Sequence, residues 1–221
     1  MARIARVVVP DYPHHITQRG SRRQQTFFKS VDYQLYIDLL ARFKNEFGIE
    51  IWAYCLMPNH VHLVVIPKDE HCLANCLSRT HRNYALQINQ RNGWRGHLWQ
   101  ERFHSFVMDE DHLLSTVRYT ELNPVRGKLC KFPEGWGWSS ARAHLNGTDD
   151  QLVDVKPMLE RISDWREYLA TNDNDVGIEK IREHTKTGRP AGPDEFIAQL
   201  ESLTGRKLRK EKPGPRSKLS S

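Results

Sequence analysis

The chain has 221 residues, of which 38% are hydrophobic, and a formal net charge of +6. That length predicts one substantial domain with an extension, and the apolar fraction suffices for a packed core. No apolar run approaches the roughly 18 residues of a membrane span, and Pro10-Asp11 interrupts the apolar start before a signal core could form, so a cytoplasmic protein is expected.

The charge is sorted along the chain. Residues 1–29 carry a net +5, residues 30–148 carry +1, residues 149–204 carry −6 and residues 205–221 carry +6. Basic ends suit a polyanion, because each neutralised phosphate releases counterions. The near-neutral body says little about a partner. Cys55, Cys72, Cys76 and Cys130 match no CxxC zinc spacing and read as small buried residues in a reducing compartment.

In chain order, His14 to Gln18 alternates like a strand, and Arg19-Gly20-Ser21-Arg22-Arg23 follows as a charged turn. Residues 31–47 have apolar positions at helical spacing, and Gly48 stops them. IEIWAYCLM and HVHLVVIP read as an antiparallel hairpin closed by Pro58-Asn59. Residues 71–91 predict a second helix, 97–108 an aromatic strand, and Asp109-Glu110 opens a third helix ending near Asn123, before Pro124. This order, β-α-β-β-α-β and then a helix, predicts an α+β fold with a ferredoxin-like antiparallel sheet whose second face stays free for a ligand or helix. Three segments are expected: residues 1–147 as the main domain, 148–204 as a helical extension and 205–221 as a basic, disordered tail. Within the extension, 156–170, 174–186 and 194–203 read as helices, with TGRPAGP as a turn-rich linker.

His60-Val61-His62 opens a strand, and alternation puts the two imidazoles on one face, where they can share a divalent cation. An HxH pair alone is more often polar strand surface. The third helix presents His112, Thr116, Tyr119 and Asn123 as a polar stripe at offsets of four, three and four. Asn123 offers a carbonyl oxygen suited to Mg²⁺ or Mn²⁺ as a third ligand. Tyr119 lies one turn back, within reach of a phosphate on that metal. Alone, Tyr119 would read as an amphipathic residue at a core rim.

PNHVH before an apolar strand, then WQERFHSF, then RYTELNPVRG, resemble the single-tyrosine HUH transposases, and more closely the REP-associated tyrosine transposases. The resemblance runs from about His14 to Leu145, with three separated motifs in the right order. It implies that His60 and His62 bind the divalent metal, Mg²⁺ or Mn²⁺, with Asn123 completing the site, and that Tyr119 is the nucleophile. Asparagine followed by Pro-Val-Arg points to the REP-associated branch, since insertion-sequence relatives commonly carry glutamine there. Gly20-Ser21 and Lys128 depart from that branch's usual pattern but touch none of this chemistry.

The implied activity is cleavage and rejoining of single-stranded DNA through a 5′-phosphotyrosine, on hairpin-forming repetitive palindromes, in the cytoplasm at the bacterial nucleoid. An ordinary phenol is protonated at neutral pH, so the site must help remove its proton; no base is identifiable. Arg19, Arg22 and Arg23 in the first turn, Arg102 beside the aromatic strand, and Arg206, Lys207, Arg209 and Lys210 in the tail are the candidate phosphate contacts. Trp99 and Phe103 read at least as well as core, and Trp136 and Trp138 as packing between extension and core. A monomer is favoured over a homodimer. Two other readings compete: a non-catalytic single-stranded nucleic-acid-binding module, and a histidine-triad hydrolase, which wants a third, nucleophilic histidine that HVHLVV does not supply.

Overall fold

The computed structural model describes residues 4–171 and 175–210. It contains a four-stranded antiparallel sheet ordered β2-β3-β1-β4, built from β1 (His14–Arg19), β2 (Ile49–Met57), β3 (His60–Pro67) and β4 (His104–Val107). Helices α1 (Ser30–Phe47) and α2 (Cys72–Asn92) complete the β-α-β-β-α-β unit, as the alternation and spacing predict. Asp32 ties these two helices together. Its carboxylate accepts from Phe28 N at 2.8 Å and Lys29 N at 2.9 Å, closing the start of α1, and from Arg91 at the end of α2.

Alternation divides the sheet's side chains between two cores. Ile16, Val61, Leu63 and Val65 face α1 and α2 in the larger core, together with Phe27, Tyr36 and Tyr84. Ala53, Val64, Phe106 and Met108 face the other way. That second face is taken by helices, one of the two occupants expected of it. It carries α3 (Glu110–Glu121), continued after Leu122 by the single turn α4 (Asn123–Arg126), in which Pro124 occupies a first-turn position that needs no N–H.

Beyond these lie α5 (Ala141–Asn146), α6 (Lys156–Leu159), α7 (Trp165–Ala170), α8 (Asp175–Thr187) and α9 (Asp194–Thr204). The helix expected over 156–170 is therefore two short ones, because Asp164 starts afresh as an N-cap, accepting from Glu167 N at 2.9 Å. The predicted 97–108 strand shrinks to four residues. Glu101 sits at φ 54°, which breaks the extended run and leaves an isolated bridge between Gly20 and Trp99.

The extension shares the second core: Met158, Trp165, Leu169, Ile181 and Ala191 pack with Val64, Phe106 and Val117. Ala191, in the segment read as a linker, lies along the sheet edge, donating to Val107 O at 2.9 Å and accepting from Asp109 N at 3.0 Å. The tail also begins packed, since Leu208 is buried with Val7, Val9, Val107 and Leu200. Residues 211–221 lie outside the described part. Cys55, Cys72 and Cys76 are buried thiols, and Trp138 stacks on Tyr33 with ring centroids 4.8 Å apart.

Burial pushes His14 down to about 4, and His15 and His81 to about 3, so all three stay neutral at pH 7. In the unfolded chain they take up protons near pH ~6.5. Between there and their folded values the unfolded state binds more protons, so stability falls as the pH drops from about 6.5 towards 4. We expect urea unfolding at pH 7, 6 and 5 to lose about 1.4 kcal/mol per pH unit for each histidine once below its unfolded value. A flat profile would show that these imidazoles are not buried neutral.

Candidate active site

A cavity of about 750 Å³ opens between the second face of the sheet, α3–α4 and α8. His60, His62, Gln100, His104, Tyr119 and Asn123 all line it, so the three motifs that are separated in sequence meet in one place. The His60 and His62 rings lie 5.0 Å apart between centroids, and the Tyr119 ring lies 5.5 Å from His62, edge-on at 83°. Antiparallel pairing of β1 with β3 brings a third imidazole beside them: His15 stacks on His62 at 5.2 Å and 12°.

Hydrogen bonds fix which nitrogens carry protons. The Thr185 hydroxyl donates to Ile181 O at 2.9 Å, so toward His15 Nδ1, 3.4 Å away, it can only accept. His15 Nδ1 therefore bears the proton and its Nε2 is an acceptor, because burial keeps the ring neutral. His62 Nδ1, 3.0 Å from that Nε2, must donate, which leaves His62 Nε2 with a free lone pair. His60 Nδ1 donates to Asn59 Oδ1 at 2.6 Å, so its Nε2 is free as well. Burial lowers the pKa of both, His60 to about 4 with Arg19 adding to the effect, and His62 well below its ordinary value. Two neutral imidazoles with free Nε2 lone pairs are what a divalent cation requires.

Asn123 fits the same reading. Its Nδ2 is buried without a hydrogen-bond partner. Turning the amide over puts its carbonyl oxygen there, the atom a hard cation takes. Among the described residues no three His, Cys, Asp or Glu side chains are placed to hold one metal ion, and both His15 nitrogens are engaged, so the donor set that fits is two imidazoles and one amide. His15 supplies no histidine-triad nucleophile, because both its nitrogens are engaged.

Tyr119 is held on several sides. The Arg126 guanidinium lies over its ring, 4.4 Å from the centroid, and donates to its backbone carbonyl. Arg182 of α8 lines the same cavity, and Tyr119 adds to the effect of Glu179 in raising its pKa. Two residues on, fully buried Glu121 anchors the helix, accepting from Ser140 Oγ at 2.5 Å, His144 Nδ1 at 2.6 Å and Trp165 Nε1 at 2.9 Å.

Of the candidate phosphate contacts, Arg19 and Arg23 line the cavity. Their turn is locked: Asn59 Nδ2 donates to Arg23 O at 3.0 Å, and a Cβ on Gly20 would sit 2.3 Å from Gln24 O, so only glycine fits. Arg22 is exposed in the same turn, outside the cavity lining. Arg102 lines a different cavity, with Arg6, Trp99 and Phe103; the Trp99 and Phe103 side chains are themselves buried in the main core. Arg206 donates to Ala5 O and Arg6 O at 2.7 Å each, and Arg209 to Asp194 O at 3.0 Å, so these two guanidinium groups pin the tail to the fold. Lys207 and Lys210 are exposed.

Sequence patterns did not single out Asn59, His15, Arg126, or the α8 trio Arg182, Thr185 and Lys186. Alternation along β1 does put His15 on the face of Thr17 and Arg19, but no spacing rule links α8 to the site.

A family model described as IS200-like transposase matches residues 8–123. No curated protein matches significantly. A solved REP-associated tyrosine transposase bound to a REP hairpin is similar in fold, with a TM-score of 0.53 and 22% identity, over 70% of this chain and 93% of that one. A candidate transposase from Deinococcus radiodurans matches at a TM-score of 0.38 and 18% identity, over 61% of this chain and 97% of that one.

Proposed function

The chain belongs to the family of IS200-like transposases, and from that premise we propose that it cuts and rejoins single-stranded DNA beside a hairpin, with Tyr119 as covalent nucleophile. The observation that carries this is the Tyr119 ring, 5.5 Å from His62, in one cavity with His60 and Asn123. The REP-associated branch is the best-supported placement, through Asn123-Pro124-Val125-Arg126 and the fold likeness to a protein solved on a REP hairpin.

The chemistry follows from the residues. The Tyr119 hydroxyl oxygen attacks the scissile phosphorus, the P–O3′ bond breaks, and the loss of the phenolic proton is balanced by the proton the leaving 3′-oxygen takes up. The products are a 5′-phosphotyrosine and a free 3′-hydroxyl. The covalent bond conserves the energy of the broken linkage, so a second 3′-hydroxyl can reverse the step without ATP. His60, His62 and Asn123 would hold a divalent cation, Mg²⁺ or Mn²⁺, which when bound supplies charge neutralisation and orientation at the phosphate. Arg19 and Arg23 line the cavity's wall and would take flanking phosphates. Residues 1–147 would form the catalytic domain, with the extension as its cover. No described helix is long and apolar enough to cross a membrane.

The test uses a panel of end-labelled REP-type hairpin oligonucleotides with single-stranded flanks and Mn²⁺. We expect a denaturation-resistant protein–DNA adduct on at least one hairpin. Metal-independent binding without any adduct across the panel would favour a non-catalytic nucleic-acid-binding module instead.

The tautomer chain makes a separate prediction. His15→Phe keeps a ring of similar size but gives His62 Nδ1 no acceptor. We expect Mn²⁺ affinity, read by titration calorimetry, to fall ~10–100-fold with the circular dichroism spectrum unchanged. Unaltered affinity would mean that His62 does not depend on His15 for its ligating form.

A further inference from the structure

The family match ends at residue 123, yet the cavity is walled on one side by Arg182, Thr185 and Lys186 of α8. That helix lies in the one acidic stretch of the chain, net −6 over residues 149–204, so two cations facing the cavity are not what the segment's composition favours. Arg182 and Lys186 are four residues apart and share one helical face. Helix α8 is fixed in place, since Ile181 is buried in the second core, and Thr187 O accepts from Ile4 N at 3.1 Å. Thr185 from the same turn touches His15, and its backbone carbonyl lies 3.1 Å from His104 Nδ1. The Arg182 guanidinium pairs with Glu179 on its own helix at 2.5 Å and lines the same cavity as Tyr119, whose side chain adds to the rise in its pKa. Its side chain remains 57% exposed, so it stands at the mouth of the cavity rather than inside the core.

From this geometry we infer that Arg182 is a catalytic residue of the tyrosine chemistry. It orients the Tyr119 hydroxyl before attack and, once DNA enters, gives the scissile phosphate a planar pair of N–H donors, with Lys186 as a second cation alongside. This inference rests on the tyrosine-nuclease reading of the site. A guanidinium suits the task because it cannot give up its proton at working pH and its fork matches two phosphate oxygens. The same group can therefore hold the hydroxyl in the resting protein and a non-bridging oxygen as charge gathers there. Glu179 offers an alternative partner, so Arg182 can move between carboxylate and phosphate without being left unpaired. A consequence is that the extension belongs to the active site, and that a catalytic domain cut at residue 147 would lack part of it.

The experiment compares full-length wild type, Arg182→Ala and Arg182→Lys under single-turnover conditions, on a hairpin that wild type converts to adduct. Hairpin affinity is measured separately by fluorescence anisotropy. We expect Arg182→Ala to slow adduct formation on the order of 10²-fold, as when one oxyanion donor is lost, while affinity changes only a few-fold. Arg182→Lys should fall between the two, because it keeps charge and loses the fork. Guanidinium ion added to Arg182→Ala should restore part of the rate, which a purely structural arginine would not allow. Adduct formation by Arg182→Ala at the wild-type rate, or faster than wild type, would overturn the inference and leave the nuclease reading intact; a faster variant would make α8 a lock on the tyrosine. If wild type forms no adduct on any hairpin, the nuclease reading itself fails and this inference with it.

Discussion

Tyr119→Phe is expected to abolish the covalent protein–DNA adduct, with a loss of about 10⁴-fold or more in strand cleavage, while hairpin affinity stays within a few-fold of wild type. The substitution removes one oxygen and little else. The ring is 8% exposed and packs edge-on to both His62 and His15, contacts that phenylalanine keeps. The Arg126 guanidinium over the ring and its bond to the residue 119 carbonyl are likewise indifferent to the hydroxyl. What disappears is the atom that forms the bond to phosphorus. The measurement is denaturing gel electrophoresis of labelled hairpin with both proteins, next to anisotropy for binding. Equal adduct from both would move the nucleophile elsewhere and end the claim for Tyr119. Equal cleavage without adduct in either would indicate hydrolysis by water at the same cation site.

The sheet was legible in the sequence because its strands obey a two-residue period and its hairpin is short. Ile49–Met57 and His60–Pro67 fall where IEIWAYCLM and HVHLVVIP predict them, and α1 ends at Gly48, in the left-handed region at φ 66°. The central site was legible for the same reason: alternation fixes that His60 and His62 share a face, and the helical period fixes that Tyr119 and Asn123 do. Their convergence needed the resemblance, because neither period says which face of the sheet a later helix covers. The groups around them were hidden by distance along the chain. His15 reaches His62 only through strand pairing across 47 residues, and Thr185 reaches His15 across 170. The acidic composition of the extension was misleading about α8, since net charge over a segment averages away the two cations that face the cavity. The tail was read as too polar to bury anything. One residue, Leu208, suffices to dock its start, and Arg206 and Arg209 spend their donors on nearby carbonyls.

The second large effect concerns stability. Glu121 is fully buried, and its two oxygens take three donors, from Ser140, His144 and Trp165. These partners are the residue immediately before α5, a residue of α5 and the first residue of α7, so one carboxylate joins the nucleophile's helix to the extension. His144 also stacks on Trp165 at 4.2 Å. In Glu121→Ala the His144 and Trp165 donors lose their acceptor inside the protein, and Ser140 keeps only the Tyr54 carbonyl at 3.3 Å. An unsatisfied buried group costs about 1–3 kcal/mol, and removal of one member of a buried charged network about 3–5 kcal/mol in all. For a domain of this size each kcal/mol lowers the melting temperature by roughly 2–4 °C, so a drop on the order of 10 °C is expected by calorimetry. Glu121→Gln should fall between the two, because its amide keeps one acceptor oxygen but turns N–H donors towards a donor. The two substitutions also separate stability from chemistry. At a temperature where both variants remain folded, Tyr119 still faces His62, and adduct formation should persist in proportion to the folded fraction. A melting temperature for Glu121→Ala within 1–2 °C of wild type, equivalent to less than about 1 kcal/mol, would mean that the network is not what holds α3 against the extension. An adduct rate that collapsed in a fully folded Glu121→Gln would instead make the network part of how Tyr119 is aimed.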